Sequence, residues 1–165
     1  MICDRLQLGL ADEAFLAGLI HDIGIMVEMQ ANRHDLVSVF EEMLFDDDDA
    51  PTTDLREIES RILGADHQAF GAGLCETWKF PQSFAYVTGH HHDPTEVPPA
   101  NRTLTSIVYI ADRLSGQLGL GFRGDLINLD IAQEALDDLS LPTETLEQIK
   151  MKLPQAFEEI EAMFS

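Results

Sequence analysis

The sequence predicts an all-α fold, and three observations lead there. Apolar residues recur at i, i+3, i+4 and i+7 spacing in segment after segment, the pattern of amphipathic helices. Period-2 alternation of β-branched residues, which a half-buried strand requires, is hard to find anywhere. Between the periodic segments stand stretches rich in Pro, Gly and Asp that end helices and turn the chain.

In chain order, the first long pattern is ADEAFLAGLIHDIGIMVEMQ, residues 11–30, where Gly24 is expected to bend the helix. In TTDLREIESRILG, Leu55, Ile58, Ile62 and Leu63 share one face. Thr53 or Asp54 is its predicted N-cap and Gly64 its C-terminal stop. Trp78 lies in an apolar helical stretch and is assigned to the core. The segment LTSIVYIADRLSGQLG sets Leu104, Ile107, Val108, Ala111 and Leu114 on one side. The last segment carries a stripe of Leu146, Ile149, Leu153, Phe157, Ile160 and Met163. Pro154 interrupts it, and a kink or break is expected there because proline lacks the N–H and crowds the preceding turn. Three loops separate these elements: FDDDDAP at Phe45–Pro51, the three-proline stretch Asp93–Pro99, and GLGFRGD from Gly119. No internal repeat or long linker divides the chain, so residues 1–165 read as one domain.

Composition narrows the function. With Lys+Arg at 10 and Asp+Glu at 30, the net charge is −20. A nucleic-acid groove needs clustered cations to displace phosphate counterions, and an anionic membrane surface repels such a chain, so neither is an expected partner. Cys3 and Cys75 lack metal-knuckle spacing and form no disulfide framework, which suits a reducing, cytoplasmic setting. The start of the chain lacks the basic end and apolar centre of a signal peptide, and no apolar run is read as the ~18–20 residues of a membrane helix.

Several signals are discounted. Gly119, Gly121 and Gly124 spell G-x-G-x-x-G, but a predicted helix precedes them where a dinucleotide fold needs a strand, so they are turn glycines. Asp46 to Asp49 lack the spaced ligands of a calcium loop and read as a solvated acidic turn. The sequon Asn101-Arg102-Thr103 is inert without secretion. His34-Asp35 lies on a polar stretch and carries no role.

The remaining histidines carry the chemistry. His21-Asp22 follows an apolar run, His67 opens DHQAFGAGL, His90, His91 and His92 form a triplet, and Asp112 sits on an apolar helix. A buried, unpaired carboxylate costs several kcal/mol, so Asp22 and Asp112 need partners. A divalent cation held by imidazoles and carboxylates is one solution. A hydrogen-bonded His–Asp network without metal is the other, and for any single residue it is the simpler one. Taken together, widely separated residues of these types point to convergence by helix packing, as in the metal sites of bundles.

The blocks FLAGLIHDIG, ILGADHQAFGAGLCETWKFP, HHHDP and IVYIADRLS, in that order, resemble the HDOD domain, over roughly Ala11 to Leu120. That family is a bacterial signalling output module within the HD superfamily of metal-dependent phosphohydrolases. The resemblance implies an all-α, HD-superfamily-like helical bundle and a metal-ligand set of His21, Asp22, His67, His91, His92 and Asp112, with His90 an extra. It implies one or two divalent transition-metal ions (Fe, Mn, Ni or Zn). The set is similar to that of the HD-GYP phosphodiesterases, which hydrolyse cyclic di-GMP. The departures bear on activity. Ile25 stands where HD-GYP proteins carry a lysine, TEVPPANR replaces their G-Y-P segment, and no histidine precedes His21 to supply the superfamily's upstream ligand. The family usually begins further upstream, so Met1 is expected to lie inside a longer domain. Arg113 is a nearby cation, but it is adjacent to Asp112 and is expected to point to a different side of the helix. The resulting reading is a non-catalytic regulatory module with a degenerate His/Asp metal site, its partners other signalling proteins or domains. The alternative is a metal-dependent phosphohydrolase acting on cyclic di-GMP or another phosphoester.

Overall fold

The computed structural model describes residues 1–164. Its helices are α1 (Ile2–Leu6), α2 (Ala11–Ile20), α3 (Ile23–Ala31), α4 (Arg33–Glu42), α5 (Leu55–Leu63), α6 (His67–Thr77), α7 (Gln82–His90), α8 (Thr103–Gln117), α9 (Gln133–Asp138) and α10 (Thr143–Phe164). The described residues form no strand, only a bridge between Phe45 and Pro51 at the neck of the acidic turn. The all-α prediction holds. Asp46 Oδ1 accepts from the backbone N–H groups of Asp48 and Ala50, so that turn is closed by its own side chain.

Helix α8 is the central rod. One face packs with α1, α9 and the start of α10 through Ile107, Ile110, Leu114, Leu136 and Ile149. The other packs with α2, α6 and α7 through Leu104, Val108, Ala17, Cys75 and Val87. Surrounded in this way, α8 is buried nearly all round, Thr105, Ser106 and Tyr109 included, while Ala111 of the predicted apolar stripe is exposed. A third cluster joins α4 to α5 through Leu36, Val39, Leu55 and Ile58.

Local signals explain where elements stop. Asp54 caps α5, its Oδ1 accepting from the Arg56 N–H at 2.9 Å. Gly64, at φ 88°, ends α5 in the left-handed conformation that glycine tolerates best. Asp66 then caps α6 by accepting from the Ala69 N–H at 2.9 Å. With two caps so close, the link is short and His67 becomes the first residue of α6.

Four expectations are corrected. The break in residues 11–31 falls at His21-Asp22 and not at Gly24, which lies inside α3 against the His67 backbone. That stretch reaches a mean hydropathy of 1.3, long and apolar enough by composition to cross a membrane, contrary to the reading that no segment qualifies. Helix α10 runs on through Pro154. Only the start of its stripe is covered: Leu146 and Ile149 are buried, while Ile160 and Met163 are exposed because no other element reaches them. Trp78 is 62% exposed, edge-on to Phe80, because it is the residue on which α6 ends and lies beyond the helix's buried residues His67, Gln68, Gly71 and Cys75.

Candidate metal centre

Five segments deliver side chains to one point. The α2–α3 turn brings His21 and Asp22, the first turn of α6 brings His67, and the end of α7 brings His91 and His92. Asp112 comes from the middle of α8 and Asp125 from the loop that follows it. Close approach of the backbones makes this convergence possible. A Cβ on Gly24 would lie 1.8 Å from the His67 carbonyl oxygen, and one on Gly71 would lie 3.1 Å from Thr88 Cβ. Glycine at those two places lets α3, α6 and α7 meet where a larger residue would hold them apart.

The contacts form a continuous chain. His21 Nε2 lies 3.1 Å from Asp22 Oδ2 and 3.9 Å from Asp112 Oδ1. Asp22 Oδ1 lies 3.2 Å from His91 Nε2. The rings of His91 and His92 are 4.3 Å apart. His92 Nε2 is 3.0 Å from His67 Nε2 and 3.3 Å from Asp125 Oδ2. His67 and His91 are fully buried.

Three of the four imidazoles are oriented alike. His21 Nδ1 is 2.7 Å from the Gly18 carbonyl, and His91 Nδ1 is 3.2 Å from those of Val87 and Thr88. His67 Nδ1 is 2.7 Å from Glu59 Oε2. Oxygens that can only accept hold each Nδ1, so Nδ1 carries the proton and Nε2 is turned inward. With Nδ1 of His91 carrying the proton, its Nε2 lone pair faces the Asp22 carboxylate. His91 Nε2 and Asp22 Oδ1 approach to 3.2 Å without the alignment of a hydrogen bond, and both are buried without any other partner, as is Asp112 Oδ2. Something positive must lie between such groups.

A divalent cation fits. One ligand atom each from His67, His91, His92 and Asp125 lie within 4.8 Å of one another. Bonds of ~2.0–2.2 Å in a tetrahedron set donors ~3.4 Å apart, so the side chains would close in by up to ~1.4 Å around an ion. Imidazole nitrogens with a carboxylate suit Zn, Fe, Ni or Mn. His21, Asp22 and Asp112 form the other lobe, joined to the first through His91.

The electrostatics are those of a site short of positive charge. Burial opposes a charge on His21, but its contact with Asp22 and the nearby Asp112 outweigh this and hold its pKa up at about 9. Burial would raise Asp22, yet His21 and His91 keep it below the usual carboxylate range. Burial lifts Asp112 to about 6, and burial with the charges of Asp22 and Asp112 lifts Asp125 to about 7. Burial depresses both His91 and His92, holding them neutral, the form that binds metal.

All six residues singled out in the sequence are therefore together, and the extra His90 is outside, paired to Glu96 at 2.9 Å. Two participants were missed. Asp125 sits in a glycine-rich loop with no periodicity to place it, and only the apolar Leu126 after it hints at burial. Glu59 was legible: it follows Leu55 by four residues and so shares the buried face of α5. Arg113, next to Asp112 in the chain, is buried, stacks on the Tyr109 ring and donates through Nη2 to the His92 carbonyl at 3.3 Å.

Comparison with known families bears directly on this centre. The HDOD domain profile matches residues 1–94. The chain belongs to the HDOD family. The HDOD match spans His21, Asp22, His67, His91 and His92 and ends before Asp112 and Asp125. It starts earlier and stops earlier than the Ala11–Leu120 resemblance. Comparison with curated proteins and with solved structures gave no match.

Proposed function

We propose that this HDOD protein is a regulatory signalling module whose His/Asp cluster holds one or two divalent transition-metal ions as a structural cross-link, without turnover of a phosphoester. The observation that carries the reading is the common orientation of three imidazoles: the Nδ1–H groups of His21, His67 and His91 are spent on fixed oxygens, and their Nε2 atoms face the carboxylates or the other rings. A divalent ion bound there supplies concentrated positive charge and Lewis acidity. His67, His91, His92 and Asp125 would hold the inner ion, and His21, Asp22 and Asp112 an outer one. The chain's own residues then do two things: they present imidazole nitrogens and carboxylate oxygens to one point, and they tie the α2–α3 turn, α6, α7, α8 and the Asp125 loop into one unit.

What supports a non-catalytic role is the approach to the centre. A cavity of about 290 Å³ opens beside His21, Asp22 and Asp112. Its described lining includes Ile107, Val108, Leu120 and Phe122 and no lysine or arginine. Phosphoryl transfer relies on fixed cations around the phosphate. Ile25 faces a separate apolar hollow with Met26 and Phe40, and Arg113 is engaged with Tyr109 and the His92 carbonyl. Family membership supports the regulatory role, with other signalling proteins or domains as partners. The free thiols Cys3 and Cys75 suit a reducing, cytoplasmic setting.

The test is hydrolysis of cyclic di-GMP and of generic phosphodiesters with added Mn²⁺ or Fe²⁺, run beside Asp22→Ala. Metal binding with no turnover above the buffer rate is the expected result. Turnover that disappears in Asp22→Ala would establish the phosphohydrolase instead.

A further inference from the structure

Behind His67, away from the other imidazoles, lie two buried acids that form no ion pair with a lysine or arginine among the described residues. Glu59 on α5 is completely buried and Glu28 on α3 is 2% exposed. Glu59 Oε2 accepts from the His67 backbone N–H at 3.0 Å and from its Nδ1–H at 2.7 Å. Glu59 Oε1 has no N–H or hydroxyl partner, and neither oxygen of Glu28 has one. The Glu28 carboxyl stands within hydrogen-bonding reach of Glu59. Two adjacent buried carboxylates, both charged and served by one imidazole, would repel strongly. One proton on Glu28 removes the repulsion and gives Glu59 Oε1 the donor it lacks. Burial and the Glu59 charge lift the Glu28 pKa to about 8, in the direction that geometry requires.

We propose that Glu59 is a positioning residue for His67, fixing its proton on Nδ1 so that Nε2 is free for the cation, and that Glu28 is a neutral acid whose O–H holds Glu59 in place. This rests on the metal reading above for the identity of the ligand at Nε2, but the hydrogen-bond chain stands without it. A histidine ligand that donates its other N–H to a carboxylate is both oriented and made more basic. Here the carboxylate is itself anchored from a third helix, so α3, α5 and α6 are joined through Glu28, Glu59 and His67. Gly24, one turn before Glu28, provides the close approach this requires.

The experiment uses the full chain with ¹⁵N-labelled histidine, in wild type, Glu59→Gln and Glu28→Gln, with folding checked by far-UV circular dichroism. Two readouts are taken: imidazole nitrogen shifts in the cation-free protein, and Mn²⁺ affinity by calorimetry. In wild type the His67 Nδ1 carries a proton. Glu28→Gln retains a donor toward Glu59, so it keeps that signature and a Kd for Mn²⁺ within about twofold. Glu59→Gln shifts the His67 proton toward Nε2 and weakens Mn²⁺ by ~10–100-fold. A bare Nδ1 on His67 in wild type overturns the proposal, as does Glu59→Gln with wild-type shifts and affinity. Glu28→Gln as damaging as Glu59→Gln overturns the part assigned to Glu28. If wild type binds no Mn²⁺, the metal reading fails, and the nitrogen shifts still decide the proposal.

Discussion

Replacing Gly24 with alanine is the most direct perturbation of the packing that builds the centre. The added Cβ would sit 1.8 Å from the His67 carbonyl oxygen, 2.6 Å from its carbonyl carbon and 2.9 Å from its Cα. All three are backbone atoms, so no side chain can swing aside. Reaching even 3.0 Å requires 3.0 − 1.8 = 1.2 Å of separation between α3 and α6. A gap of 0.5–1 Å already forfeits a quarter to a half of the dispersion energy along a contact. Overpacking of this kind costs ~3 kcal/mol, the upper part of its usual range, because strain adds to the lost contact. At ~2–4 °C per kcal/mol for a chain of this size, Tm should fall by ~6–12 °C. Gly18 is the matched control: it lies in α2 and a Cβ there meets nothing within 4 Å. Gly18→Ala should raise stability by ~0.5–1 kcal/mol through helix propensity alone. Thermal melting followed by circular dichroism, both variants against wild type, is the assay. A Gly24→Ala protein melting within about 2 °C of wild type would refute the reasoning.

Two other outcomes follow from the charges. The cation-free protein should lose stability between pH 7 and pH 9. His21 at about 9, Glu28 at about 8 and Asp125 at about 7 all have folded-state values above their unfolded ones, so in this window the folded chain holds protons that the unfolded chain has released. His91 and His92 are neutral when folded and mostly neutral when unfolded at these pH values, so they add little opposing slope. Saturating Mn²⁺ should flatten or reverse the trend by replacing those protons, and a cation-free Tm that rises from pH 7 to 9 would contradict this. Asp125→Asn should weaken Mn²⁺ binding by ~100-fold or more, beyond the ~10–100-fold typical of outer-shell partners. It should leave cation-free stability at pH 8 unchanged or higher, since a buried carboxyl is exchanged for a neutral amide of similar shape. Calorimetry and melting of the same sample check both parts.

The sequence carried the helices well because their apolar spacing records which face is covered. It carried the six histidines and aspartates because chemistry-bearing side chains on apolar elements need partners. What it could not carry is anything decided by elements meeting from afar. Ile160 and Met163 repeat the spacing of Ile149, but only contact with α1, α8 and α9 makes one buried and the others exposed. Gly24 was read for its own backbone, when its meaning lies in the backbone of His67. Asp125 depends on how an irregular loop folds back after Gly119 and Gly121, at φ 68° and 75°, and no periodicity encodes that return.

Metal analysis joined to anomalous diffraction tests the central claim most directly. Protein purified without chelator and crystallised with Mn²⁺ should show at least one anomalous peak bonded to the Nε2 atoms of His67, His91 and His92 and to Asp125. Metal-free protein that takes up no Mn²⁺, Fe²⁺, Ni²⁺ or Zn²⁺, with His67 and His92 still hydrogen-bonded to each other, would contradict it.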